Sequence, residues 1–158
     1  MQLYRISHEK FLKNLSGTGA SYQEGARWNS AGYPVVYFAG SVAVAMLELA
    51  NYIPNPRLIP KGFKLGVYKV QKPMIVEEID INTLPAHWNQ FPYHLDTRAM
   101  GDQWLEGLSA ALLKLPSASV PNGLEPIYLM NPRHQEAAHI ELIDIVDQIY
   151  NERLFSGL

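Results

Sequence analysis

GARWNSAGYPVVYFAGSVAVAMLELAN, residues Gly25 to Asn51, is the stretch around which the chain is organised. It opens with Arg27 beside Trp28 and Asn29 and turns at Gly32 and Pro34. It then runs through the extended segment Val35-Val36-Tyr37-Phe38. Ser41 stands at a helix N-cap position, and the apolar helix predicted over 41–52 carries Glu48 before Pro54 and Pro56 end it. Between Arg27 and Arg57, Glu48 is the only formally charged residue. An ionised carboxylate on so apolar a helix is costly unless it is paired or faces a cleft. Alternation along the strand turns Tyr37 to the face opposite Val36 and Phe38. Arg27, Tyr37 and Glu48 are therefore the first candidates for chemistry.

Working outward, Gln2–Ile6 reads as a strand and His8–Leu15 as a short helix. The segment 17–25 is a loop, and its Gly17-Thr18-Gly19 suits turn glycines better than phosphate binding. The helix over 41–52 is expected to bury most of its sides, with Ala43, Met46, Leu47 and Ala50 on one face. Gly66–Val70 and Met74–Ile79 read as strands flanking a Lys72-Pro73 turn, and Leu84–Asp96 as an irregular connection. Asp102 is expected to cap a helix reaching Leu115, where Pro116 stops it. Ile127–Met130 is a further strand. In 138–150 the alternation around Asp144 favours strand over helix. These elements predict an α+β fold, a mostly antiparallel mixed sheet with flanking helices, in one domain over residues 1–158.

Composition narrows the function classes. The 158-residue chain is 47% hydrophobic and 18% charged with a net charge of −2, as an ordinary folded domain is. No run of basic residues offers a footprint for nucleic acid. Cysteine is absent, which excludes disulfides and thiolate metal sites and suits a reducing compartment. No apolar run approaches the roughly 20 residues that span a bilayer, and MQLYRISHEK lacks a signal-peptide core. A cytoplasmic protein is expected. His134 and His139, five residues apart, do not make a helical zinc pair, so no metal is expected.

The block Gly25-x-Arg27-Trp28-Asn29-x-x-Gly32-x-Pro34-Val35-Val36-Tyr37, followed by a helix with Glu48, resembles the core motif of the RES domain. The likeness extends to Gly17-Thr18-Gly19-Ala20, Trp104, Leu115-Pro116-Ser117 and Asn131-Pro132-Arg133-His134. That family is named for its Arg, Glu and Ser, and its members are toxins of bacterial toxin–antitoxin pairs resembling ADP-ribosyltransferases. The resemblance implies NAD as a substrate rather than a cofactor, cleaved at the nicotinamide–ribose bond. It also implies an antitoxin partner resembling Xre-type helix-turn-helix repressors, with a homodimer open to it.

On that reading Glu48 stabilises the ribose as it becomes cationic. Arg27 grips the pyrophosphate, with Arg5 on the first strand as its competitor. The Tyr37 ring stacks on the nicotinamide, and Ser117 hydrogen-bonds ligand or glutamate. No Gly-x-Ser-x-Gly elbow surrounds Ser117, so it is not expected to act as a nucleophile. Asn131 and His134 are expected to build a turn. The residues alone leave other readings open: Glu48 in a structural salt bridge, Arg27 stacked on Trp28, and Tyr37 as packing. Three functions follow in order of preference, an NAD glycohydrolase, an ADP-ribosyltransferase acting on a protein, and a non-catalytic nucleotide-binding module. A ribonuclease is disfavoured by the acidic charge balance.

Overall fold

The computed structural model describes residues 1–157. Seven strands form one sheet: β1 (Gln2–His8), β2 (Val36–Ala39), β3 (Phe63–Val70), β4 (Val76–Glu78), β5 (Leu112–Pro116), β6 (Pro126–Met130) and β7 (Ile140–Val146). Their spatial order is β4-β5-β6-β2-β1-β3-β7, and every neighbouring pair is antiparallel except β4 with β5. Helices α1 (Glu9–Leu12), α2 (Ala20–Glu24), α3 (Val42–Ala50) and α4 (Leu95–Gly107) complete the α+β architecture that the sequence predicts.

Alternation in β2 sorts the two cores. Val36 and Phe38 pack with Leu3, Tyr68, Leu112 and Met130 on one side of the sheet. Val35 and Ala39 pack with Trp28, Val44 and Leu129 on the other, where Tyr37 also lies. Tyr37 thus faces away from Val36 and Phe38, as the period of two requires. In the 138–150 segment the strand reading also holds, since β7 pairs with β3 at the sheet edge.

Two expectations are corrected. The helix expected from Asp102 to Leu115 is two elements, α4 and β5. Leu108 turns left-handed (φ 50°) and ends α4, and the apolar run Leu112–Leu115 becomes an interior strand between β4 and β6. A short buried run has no period to tell helix from strand, and pairing decides it. Asp102 consequently lies inside α4, while His94 occupies its N-cap. The strands read on either side of Lys72-Pro73 are present as β3 and β4; β3 lies between β1 and β7, and β4 joins β5 at the opposite edge. Finally, α3 begins as expected, with Ser41 Oγ accepting from the Val44 amide at 3.2 Å, but it buries a different face. Val44, Ala45 and Leu49 point inward, and Leu47 is 45% exposed. On an almost uniformly apolar helix, periodicity cannot choose the inward side; packing on β1 and β2 chooses it. The result is that Glu48, one turn beyond Val44 and next to Leu49, lies beside the core.

Helix α4 presses on the loop that carries Arg27. A Cβ at Gly101 would lie 1.7 Å from the Trp28 carbonyl oxygen, so only glycine permits this approach. Replacing an interior helix glycine by alanine normally gains up to about 1 kcal/mol. Here the clash is with backbone, which cannot rotate away, and overpacking costs about 1–3 kcal/mol or more. Gly101→Ala is therefore expected to lower the urea midpoint despite its better helix propensity. A midpoint at or above wild type would mean that the Trp28 loop yields easily.

Candidate active site

Glu48 is held from behind by a buried serine. Ser117 Oγ donates to Glu48 Oε1 at 2.7 Å and accepts from the Ser119 amide at 3.1 Å. Ser117 is fully buried, so no water competes for these bonds. It follows β5, where the chain leaves the sheet at Pro116. A hydroxyl supplies one proton, and here that proton goes to the carboxylate. The amide bond fixes the rotamer and the serine fixes the carboxylate, leaving Oε2 outside this relay. Ser117 is thus the hydrogen-bond partner of Glu48 that the resemblance implies.

In front of Glu48 lies a cleft of about 640 Å3, within the range of small-molecule sites. Arg5, Lys10, Tyr37, Glu48 and Tyr52 line it, together with the loop Gly17–Ser21. Gly17 adopts φ +73° and sits so close to Val35 that an added Cβ would lie 2.5 Å from its amide nitrogen. The Gly17 carbonyl accepts that amide's hydrogen at 3.1 Å. Gly17 thus takes the backbone of a turn glycine, and the same loop walls the cleft. Arg5 bonds only weakly to the Phe11 and Asn14 carbonyls, at 3.4 and 3.5 Å, which leaves its guanidinium free to take a better acceptor.

Tyr37 uses its hydroxyl inward. The phenol donates to Asn29 Oδ1 at 2.7 Å and accepts from the Trp28 amide at 3.3 Å. Asn29, fully buried, in turn donates to the Ser21 and Ser30 carbonyls. Tyr37 therefore fastens the Arg27-Trp28-Asn29 loop to β2 and offers the cleft its ring rather than its oxygen. Burial raises its pKa, only partly opposed by the Trp28 amide, so the phenol stays protonated.

Arg27 is not part of the cleft lining. Its Nη1 donates to the Trp88 and Gln90 carbonyls at 2.8 and 2.7 Å, and its guanidinium lies 4.9 Å from the Tyr93 ring centroid. Burial lowers its pKa from the ordinary guanidinium value, while Tyr93 and Glu48 act to raise it. Both of its hydrogen bonds leave from Nη1, so Nε and Nη2 are unspent. Helix α4 grips the same loop twice more: Arg98 Nε donates to the Ala26 carbonyl at 3.0 Å, and Asp102 accepts from the Ser30 amide and hydroxyl at 2.8 and 2.6 Å. Arg5, Tyr37 and Glu48 thus share the cleft, with Ser117 behind it and Arg27 at its border.

Comparison with known proteins matches residues 2–151 to the RES domain. The chain belongs to the RES domain family. A "Toxin Res" of Pseudomonas putida is 36% identical over 156 residues, 98% of this chain and 100% of that protein. The "Prs ADP-ribosylating toxin" of a Sphingobium species is 30% identical over 142 residues, covering 89% of this chain and 86% of that one. A solved structure, the M. tuberculosis MbcT-MbcA toxin-antitoxin complex, has a chain that superposes with a TM-score of 0.75 at 17% identity. The match covers 99% of this chain and 87% of that one and concerns the fold.

Several residues of this RES domain site had no signal in the sequence. Lys10 reaches the cleft from the first helix, and Tyr52 lies just past α3, its hydroxyl 3.3 Å from that of Tyr93. Arg98 and Asp102 act through backbone contacts that only α4 packing creates. Tyr33 donates its hydroxyl to Glu106 on α4. Asn131-Pro132-Arg133-His134 is a turn, as expected. Asn131 Nδ2 and Arg133 Nη2 both donate to the Leu105 carbonyl near the end of α4, and His134 Nδ1 accepts from the Glu136 amide. Among the described residues, no helix is long and apolar enough to cross a membrane.

Burial raises the pKa of both Tyr37 and Tyr68, whose hydroxyl donates to the Leu12 carbonyl at 2.7 Å. The folded state then holds these protons more tightly than the unfolded chain does. The stability tied to them is complete below the ordinary phenol value of about 10 and is lost as pH rises above it. The urea midpoint is expected to fall between roughly pH 9 and pH 11, less steeply in Tyr68→Phe. Equal slopes in wild type and variant would remove Tyr68 from the effect.

Proposed function

We propose that this RES domain is the toxin of a toxin–antitoxin pair and cleaves NAD at the nicotinamide–ribose bond, with water as the acceptor. The observation that carries the reading is the Ser119–Ser117–Glu48 relay, which aims an oriented carboxylate at a cleft large enough for a nucleotide. As the glycosidic C–N bond breaks, its electron pair leaves with nicotinamide and positive charge grows on the ribose. Glu48 stabilises that charge without having to reorganise, since Ser117 already holds it. Water adds to the ribose carbon and loses a proton, giving ADP-ribose, nicotinamide and H+. Arg5 and Lys10 supply a cationic wall suited to the pyrophosphate. Arg27 contributes positive charge and unspent donors from outside the cleft lining, and the Tyr37 ring is a surface for stacking.

The partner in this reading is a helix-turn-helix antitoxin. Its support is the solved relative of like fold, which was crystallised as a toxin–antitoxin complex. A second reading, transfer of ADP-ribose to a protein, draws on the Sphingobium relative's name. It shares the first bond cleavage and differs in the nucleophile that follows.

Purified protein incubated with NAD is expected to release nicotinamide and free ADP-ribose, separated by chromatography with and without lysate proteins. ADP-ribose appearing on a protein would replace water as the acceptor, and no nicotinamide under either condition would leave a binding module. Glu48→Gln keeps shape and removes charge, so turnover is expected to fall by about 10²–10³, with binding of intact NAD little changed. A variant that melts early and turns over normally would make Glu48 structural. Ser117→Ala frees the carboxylate and leaves the Ser119 amide without its partner, and it is expected to lower kcat more than it raises KM. Calorimetry of Arg5→Ala and Arg27→Ala separates their shares of NAD binding; unchanged affinity in either would remove that arginine from the phosphate role.

A further inference from the structure

The connection 84–96 brings together three donors that the sequence keeps apart. His87 Nε2 and His94 Nδ1 each lie 3.3 Å from the same oxygen, Asp96 Oδ2. One ligand atom from each residue falls within 4.8 Å of the others, and the two imidazole rings are 3.7 Å apart between centroids. His87 Nε2 is buried and makes no hydrogen bond, despite its distance from the carboxylate. His94 Nδ1 accepts from the Asp96 amide at 3.2 Å, so it carries a lone pair that this amide engages. Three Lewis-basic atoms converge here, an arrangement that a cation would hold together.

The spacing fits one class of cation. Zinc binds imidazole nitrogen and carboxylate oxygen at about 2.0–2.2 Å, and tetrahedral angles then separate neighbouring ligand atoms by roughly 3.3–3.5 Å. The two nitrogen–oxygen distances already have that value. Two imidazoles with one carboxylate also suit a borderline metal better than magnesium or calcium, which prefer all-oxygen shells. Ligation takes the His94 Nδ1 lone pair from the Asp96 amide. That amide sits in the first turn of α4, where unpaired N–H groups are readily hydrated.

We propose that His87, His94 and Asp96 form a binding site for a divalent transition-metal cation, zinc fitting best, that staples the loop holding Arg27. His87 precedes Trp88 and His94 follows Tyr93. Between them lie the carbonyls of Trp88 and Gln90 and the Tyr93 ring, all of which contact Arg27. An ion bridging the two histidines pins both ends of that segment and with it the guanidinium. The metal site does not depend on NAD chemistry; only its effect on turnover would.

The test uses the full chain, stripped with a chelator, desalted and titrated with zinc chloride by calorimetry. One ion per chain is expected, with a rise in Tm and a change in Trp88 emission. Outer-shell changes alone cost about 10–100-fold in metal affinity, so losing a ligand should cost at least about 100-fold. That loss is expected in His87→Ala and in His94→Asn, while His139→Ala binds like wild type. Asparagine is itself a good N-cap, so His94→Asn keeps α4 started and decides the matter if His87→Ala fails to fold. The proposal is overturned if wild type binds no zinc, if His94→Asn binds it as tightly as wild type, or if light scattering shows one ion held between two chains.

Discussion

The hydrogen bond from Ser117 to Glu48 ties the end of β5 to the inward side of α3, and the rest of the site is arranged around what that bond makes affordable. A carboxylate beside an apolar core needs a partner that does not neutralise it. A lysine or arginine in contact would satisfy Glu48 and also blunt its field. A buried serine, itself fixed by the Ser119 amide, orients the carboxylate and leaves its charge intact. Arg27 stands outside the cleft lining, with its Nη1 committed to two carbonyls.

The loop of Arg27 is the least regular part of the site and the most heavily braced. Tyr37 and Asn29 tie it to β2 and to the start of α2; Arg98, Gly101 and Asp102 fix it against α4; the Trp88–Tyr93 segment closes over the guanidinium. Each brace ends on a backbone group or a short polar side chain. Loops carry reactive groups because their backbone is free to take an unusual path, and a path of that kind needs support from rigid elements. The tight approach of α4 excludes any side chain at Gly101, so helix and loop are built as one piece.

Charge is divided across the cleft with the same economy. The whole chain is slightly acidic, yet Arg5 and Lys10 make one wall basic while Glu48 stands alone on another. Net charge speaks to solubility and non-specific binding, whereas the local field decides which ligand enters. A slightly acidic protein can therefore present a cleft with a basic wall that its composition does not reveal.

Some of this was legible before folding. Alternation in Val35–Phe38 assigned Tyr37 to its face, Ser41 marked the start of α3, and the isolation of Glu48 among apolar residues marked it as unusual. The motif around Arg27, with the Leu115-Pro116-Ser117 block far downstream, carried the family. These signals are local, set by a strand's period of two, a cap's hydrogen bond or the cost of a lone charge. The sequence could not say which side of α3 turns inward, because a helix apolar all round has no preferred face until β1 and β2 meet it. Nor could it divide Asp102–Leu115 into helix and strand, since an apolar run fits either until β4 and β6 pair with it. The grip of Asp102 on Ser30, the reach of Lys10 into the cleft and the meeting of His87, His94 and Asp96 join residues far apart in sequence or across an irregular turn. Such contacts have no period to betray them, and only the tertiary structure decided them.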